Sequence, residues 1–60
     1  MRTDLINSID FTEDEYNEKV SGEDFETFNK FIDNILSSVE ENSGTLEDAI
    51  FMANDAFKQL

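Results

Sequence analysis

The same helix-start pattern occurs three times in this chain of 60 residues, and it restricts the chain to a largely helical fold. Each copy begins with a hydroxyl residue and carries an acid three positions later, which is the arrangement of a capping box. The copies are Thr12–Glu15, Ser21–Asp24 and Thr45–Asp48. Because each copy precedes apolar residues at helical spacing, the three together predict three helices.

Apolar residues bracket the first two starts as hydrophobic staples, in which the residue before the cap packs on the fourth helical residue. Phe11 and Tyr16 are the first such pair, and Val20 and Phe25 are the second. The first start predicts a short helix over residues 13–20, with Tyr16 and Val20 facing the core.

A stripe of apolar residues at spacings of three and four follows the second start and predicts a helix of about 18 residues. Its members are Phe25, Phe28, Ile32, Ile35, Leu36 and Val39, with Phe31 on its edge. We expect this helix to end near residues 42–44, where Gly44 would supply the positive φ of a C-terminal cap.

The third start opens another stripe that runs to the end of the sequence. Its members are Leu46, Ala49, Ile50, Ala53, Phe57 and Leu60. Small residues on this helix, Ala49, Ala53 and Ala56, would let a neighbouring helix approach closely. The core is expected to unite Phe28, Ile32, Leu36 and Ile50.

The prediction is therefore a single all-α domain over residues 1–60, a small three-helix bundle. Residues 1–11 stay open, because Leu5, Ile6 and Ile9 fit either a short additional N-terminal helix capped by Thr3 or an extended segment.

Charge is the second strong feature: 15 acids stand against 4 basic residues, for a net charge of -11, and histidine is absent. Seven acids fall within residues 13–26, with Lys19 as their one basic neighbour. They are Glu13, Asp14, Glu15, Glu18, Glu23, Asp24 and Glu26. Some favour the macrodipole of a helix start, and Glu15 with Lys19 and Glu26 with Lys30 have i,i+4 pair spacing. These roles do not explain the scarcity of basic residues, because helical surfaces ordinarily mix both signs.

Two interpretations of this acidic cluster are open. In the first it is a solvated surface that keeps the chain soluble. In the second it occupies a basic groove on a partner, because carboxylates at i and i+3 or i+4 stand about 5–6 Å apart, comparable with consecutive phosphates of a nucleic acid. Asp14 with Glu18, Glu15 with Glu18, and Glu23 with Glu26 have this spacing.

Phe51 and Met52 are a second candidate contact surface. Phe51 lies well off the apolar stripe of the last helix, and Met52 lies at its flank. Either the N-terminal segment folds over both residues, or they form an exposed anchor for a dimer or another partner, since Phe and Met are enriched in interface cores.

Several classes of function are disfavoured. Without His or Cys the chain lacks the commonest general base, the thiol nucleophile and the usual zinc ligands, so no enzyme activity, cofactor or metal is expected. A calcium loop starting at Asp10 would place Glu15 and Ser21 where an EF-hand needs Gly and Glu. Direct nucleic-acid binding is disfavoured because it depends on Lys and Arg.

The sequence contains neither a signal-peptide pattern nor an apolar run long enough to span a membrane. We therefore expect a cytoplasmic protein without membrane contacts. The initial Met1 suggests a complete small reading frame.

Taken together, the residues predict a small, non-enzymatic acidic binding protein that inhibits or regulates a basic-surfaced, nucleic-acid-binding protein by nucleic-acid mimicry. In size and charge the chain is similar to the small acidic DNA-mimic inhibitors of phages and mobile elements, although no motif assigns it to one family. The alternative is a helical dimerisation or assembly module whose acidity serves solubility only, with a homodimer as its product.

Overall fold

The structure, a computed structural model, describes residues 1–20 and 27–60, and within these ranges it contains four helices and no strand. The helices are α1 (Arg2–Ser8), α2 (Glu13–Lys19), α3 (Phe28–Glu41) and α4 (Leu46–Lys58). The predicted all-α class is therefore confirmed. The segment left open at the N-terminus forms a short additional helix. The helix start at Ser21–Asp24 lies outside the described residues.

Helix α1 packs on both long helices and begins two residues earlier than a cap at Thr3 would place it. Met1 is the N-cap and makes no side-chain capping bond, so the expectation that Thr3 caps this helix is wrong. Arg2 forms an ion pair with Asp33 of α3. Its guanidinium also donates to Asn29 Oδ1 at 2.8 Å. These contacts fix the start of α1 beside the first half of α3.

Helix α2 forms the capping box that the sequence predicts. The backbone N–H of Glu15 donates to Thr12 Oγ1 at 3.2 Å, and the backbone N–H of Thr12 donates to Glu15 Oε1 at 3.1 Å. The staple is also present, with the rings of Phe11 and Tyr16 6.5 Å apart and each 4% exposed. This very short helix therefore has a defined start and a buried anchor.

Helix α3 starts later than its apolar stripe suggests. Thr27 is its N-cap, with φ -68° and ψ 161°, and its hydroxyl accepts a hydrogen bond from the backbone N–H of Lys30 at 3.3 Å. This extended Thr27 backbone separates the helix from the predicted start at residue 21. Phe31, expected at the edge of the stripe, is buried because its ring stacks on that of Tyr16 at 4.9 Å.

The turn between α3 and α4 closes as a Schellman motif. The N–H of Gly44 donates to the carbonyl of Val39 at 2.7 Å, and the N–H of Ser43 donates to the carbonyl of Glu40 at 3.2 Å. The residue with positive φ is Ser43, at 54°, so the prediction that Gly44 takes this conformation is wrong. Gly44 is instead required by space, because a Cβ there would lie 2.9 Å from Val39 Cγ1.

Helix α4 begins with the last predicted capping box, and the shorter side chain of Asp48 is sufficient to close it. The backbone N–H of Thr45 donates to Asp48 Oδ2 at 3.0 Å, and Thr45 Oγ1 accepts from the N–H of Asp48 at 3.4 Å. Ala49 and Ala53 are fully buried, as close helix packing requires, whereas Leu60 is exposed.

One apolar core joins all four helices. Among the residues that the structure describes, its buried members are Leu5, Phe11, Tyr16, Val20, Phe28, Phe31, Ile32, Ile35, Val39, Ala49 and Ala53. Of the four residues predicted to lie together, Phe28 and Ile32 are buried, while Leu36 and Ile50 are partly buried against the same cluster.

Candidate functional site

Within residues 1–20 and 27–60, five aromatic rings hold α2, which carries part of the predicted acidic cluster. They are Phe11, Tyr16, Phe28, Phe31 and Phe57. Phe11 stacks on Phe57 with ring centroids 4.0 Å apart and planes within 4°. Since Phe28 and Phe31 belong to the start of α3 and Phe57 belongs to the end of α4, α2 lies at the end of the molecule away from the α3–α4 turn.

The side chain of Lys19, the last residue of α2, contacts α4 and does not pair with an acid of α2. Its Nζ lies 4.5 Å from the centroid of the Phe57 ring and donates to the Phe57 carbonyl at 3.4 Å. A cation over a ring face is favoured by the ring quadrupole. The expected Glu15–Lys19 ion pair is not formed, because the Lys19 ammonium lies against Phe57. The one basic residue of α2 thus anchors the helix, and the four acids of α2 have no ion pair with a basic residue in the described part of the chain.

The outward side of α2 is a face of carboxylates. Asp14 and Glu18 lie two residues before and after buried Tyr16, which places them on the opposite side of the helix. Glu13 and Glu15 lie toward the two flanks of the helix and are also exposed. We call these four residues the acidic face of α2.

The other three acids of the predicted cluster, Glu23, Asp24 and Glu26, lie outside the described residues, and so does the Glu26–Lys30 pair. All the acids that the structure does describe, on every helix, are exposed. In residues 1–20 and 27–60, the ion pair between Asp33 and Arg2 is the only one present. The acidity of this part of the chain is therefore mostly unneutralised by its own basic residues.

A cleft of about 550 Å³ opens beside the acidic face, between α1, the start of α2 and the start of α3. Ile6, Ile9 and Phe28 contribute apolar walls, and Glu13 and Glu15 contribute carboxylates. Its volume falls within the range of small-ligand sites, roughly 300–1,000 Å³.

The sequence does not predict this cleft, because it arises where α1 and α2 each pack against α3. Asp10, which also lines it, belongs to the linker after α1. The Asp10 N–H donates to Asn54 Oδ1 of α4 at 2.8 Å, which ties that linker to the last helix.

Phe51 occupies the outer face of α4 and is 72% exposed. It lies two residues before fully buried Ala53, and Asp55 lies two residues after it, so both project away from the core. The residues that share this face are exposed and charged. They are Glu47, Asp48, Asp55 and Lys58. We call these four and Phe51 the outer face of α4.

Met52 lies at the flank of this face, is partly buried and packs against the core. Helix α1 does pack on α4, but it leaves Phe51 exposed. The interpretation that the N-terminal segment buries both residues is therefore wrong for Phe51. The acids around Phe51 could have been found in the sequence, because they stand three or four positions away on the same helix.

Other site chemistry is not evident in the part of the chain that the structure describes. There, no three acidic side chains come together in a group able to hold a metal ion. None of the helices described is long and apolar enough to cross a membrane.

Comparison with known proteins gives no relative from which a role can be transferred. The chain matches no protein family, no curated protein and no solved structure at a significant level.

Proposed function

We propose that this protein is a small, non-enzymatic helical bundle that binds a basic surface on a partner protein. By mimicking nucleic acid it inhibits or regulates that partner. The observation that carries the proposal is the acidic face of α2, whose carboxylates are exposed and have no basic partner among the described residues. The proposed partner is a nucleic-acid-binding protein in the cytoplasm, of the kind that phages and mobile elements inhibit.

The rigidity of α2 supports this proposal. A capping box, a staple and the Lys19 contact with Phe57 hold the helix in one orientation. Fixed carboxylates with Cβ atoms about 5–6 Å apart match a row of cations at a lower entropic cost than a flexible tail. Complementary charge also speeds association and excludes partners of the wrong sign.

The cleft beside α2 also suits a basic side chain of the partner. The carbon stem of a partner's Lys or Arg would pack on Ile6 and Ile9, while its charged head would reach Glu13 and Glu15 at the mouth. Long basic side chains combine an apolar stem with a polar tip in this manner.

The test is capture of proteins from a bacterial lysate by the immobilised chain, followed by competition with duplex DNA. We expect nucleic-acid-binding proteins to be retained at low salt and released by DNA or by high salt, because exposed charges are screened over about 10 Å at 0.1 M. The double variant Asp14→Lys with Glu18→Lys should lose this retention.

A matched control separates position from total charge. Glu40→Lys with Glu41→Lys makes the same change in net charge at the end of α3, where lysines favour the helix macrodipole. Loss of retention in the α2 variant but not in the α3 variant supports a binding face. Equal retention by all three proteins would refute it and would leave the acids a role in solubility only.

The alternative of a dimerisation module is favoured by one observation, the exposure of three large apolar side chains in the described residues: Met1, Phe51 and Leu60. Sedimentation equilibrium of the purified chain decides this alternative, because an assembly module would be a dimer at micromolar concentration and an acidic inhibitor would be a monomer.

A further inference from the structure

We infer that the outer face of α4 is a second contact surface, in which Phe51 enters an apolar pocket that is rimmed by Lys or Arg on a basic protein. This inference rests on the proposed function for the sign of the partner's charge. It adds the shape of the partner's site and assigns the apolar part of the contact to one residue.

Exposure and position set Phe51 apart from the other apolar residues. Exposed Met1 and Leu60 lie at the chain ends, outside the helices. Phe51 is in the middle of α4, so its backbone is fixed and the ring has only two side-chain torsions to restrain on binding. Rigid aromatic residues of this kind supply large contact areas at low entropic cost.

The residues around Phe51 select the occupant by charge. Glu47 and Asp55 stand one helical turn before and after Phe51, and Asp48 stands three positions before it. A central aromatic residue surrounded by a rim of other contacts is the usual arrangement of a binding hot spot, because the rim excludes water from the central residue. Because three of the four charged rim residues are acidic, the matching pocket is surrounded by cations.

A second copy of this chain is a poor occupant. Pairing two α4 outer faces would bring Glu47, Asp48 and Asp55 against their counterparts, with Lys58 as the one cation of each face. The whole chains carry -11 each, and directly opposed like charges disfavour association. The same charges disfavour an acidic or purely apolar partner.

The test uses three helical peptides as probes, titrated into the nitrogen-15-labelled chain and followed by amide chemical shifts. One peptide has leucines on one face and lysines on the other, the second replaces the leucines with glutamines, and the third replaces the lysines with glutamates. We expect the leucine–lysine peptide to bind at least about tenfold more tightly than the other two, with the largest shifts around Phe51.

Variants show which residue is responsible. Phe51→Ala should reduce the affinity for the leucine–lysine peptide to that of the glutamine–lysine peptide, whereas Phe51→Leu should keep most of it. Leu60→Ala is the matched control, because it removes another exposed apolar side chain outside this face, and it should bind as the unmodified chain does. Phe51 is exposed, so its replacement should leave the melting temperature nearly unchanged.

Three results would overturn the inference. The first is an equal affinity for the leucine–lysine peptide before and after Phe51→Ala. The second is a set of shifts confined to α2, which would leave the acidic face standing and remove the Phe51 contact alone. The third is a dimer in sedimentation that Phe51→Ala dissociates, since Phe51 would then bind a second copy.

Discussion

At the scale of single residues, the turn between α3 and α4 constrains Ser43 and Gly44 in different ways. Ser43 is constrained by its backbone conformation, and Gly44 is constrained by lack of space for a side chain. Ser43 has a φ of 54°, a left-handed conformation that costs a residue with a Cβ about 1–2 kcal/mol. Gly44 is limited by contact, since a Cβ would meet Val39 Cγ1 at 2.9 Å and Asp48 Oδ2 at 3.1 Å. Val39 is almost fully buried and has little room to move.

Separate substitutions at these two positions should therefore change the free energy of unfolding in opposite directions. Ser43→Gly should raise the free energy of unfolding by about 0.5–1 kcal/mol, after the entropic cost of an added glycine is subtracted. Gly44→Ala should lower it by about 1–3 kcal/mol through overpacking. Urea denaturation of both variants measures the two effects, and stabilisation by Gly44→Ala would contradict the geometry of this turn.

At the scale of elements, α2 is a helix of seven residues, a length that is not stable by itself in water. Its start is fixed by the Thr12–Glu15 box, and its inner side is fixed by Tyr16 in the aromatic cluster. Local capping and tertiary burial are both needed, so loss of either should affect the acidic face as well as the fold.

Thr12→Ala should lower the free energy of unfolding by about 0.5–2 kcal/mol, the usual effect of removing an N-cap hydroxyl. Thr3→Ala is the matched control, because Thr3 lies inside α1, is exposed and caps nothing. That change should be neutral or slightly stabilising, since Ala has the higher helix propensity. Equal losses in the two variants would show that Thr3, contrary to the structure, acts as a cap.

At the scale of the whole molecule, unneutralised acidity opposes folding, because a compact chain of net charge -11 repels itself. The melting temperature should therefore rise between about 0.02 M and about 0.3 M sodium chloride, as the screening length falls through about 10 Å at 0.1 M. Scanning calorimetry at the two concentrations measures the change. The variant with Glu40→Lys and Glu41→Lys should show a smaller rise, and a fall for the unmodified chain would argue against dominant self-repulsion.

Local features of this fold follow from the order of residues alone. Capping boxes at Thr12 and Thr45 formed as predicted, because their partners lie only three residues away. The stripes of α3 and α4 placed Ile32 and Ala53 in the core, because helical periodicity alone decides which residues share a side. The outward position of Phe51 on α4 follows from the same periodicity.

Contacts between residues of different helices follow only from the packing of the helices. Phe31 is buried because α2 brings Tyr16 against it. The side chain of Lys19 contacts Phe57 of α4 instead of an acid of α2. The cleft beside α2 exists only through the packing of α1. Whether a covering segment reached Phe51 was likewise open until α1 was placed. These outcomes depend on distances between residues far apart in the chain, which local spacing does not encode.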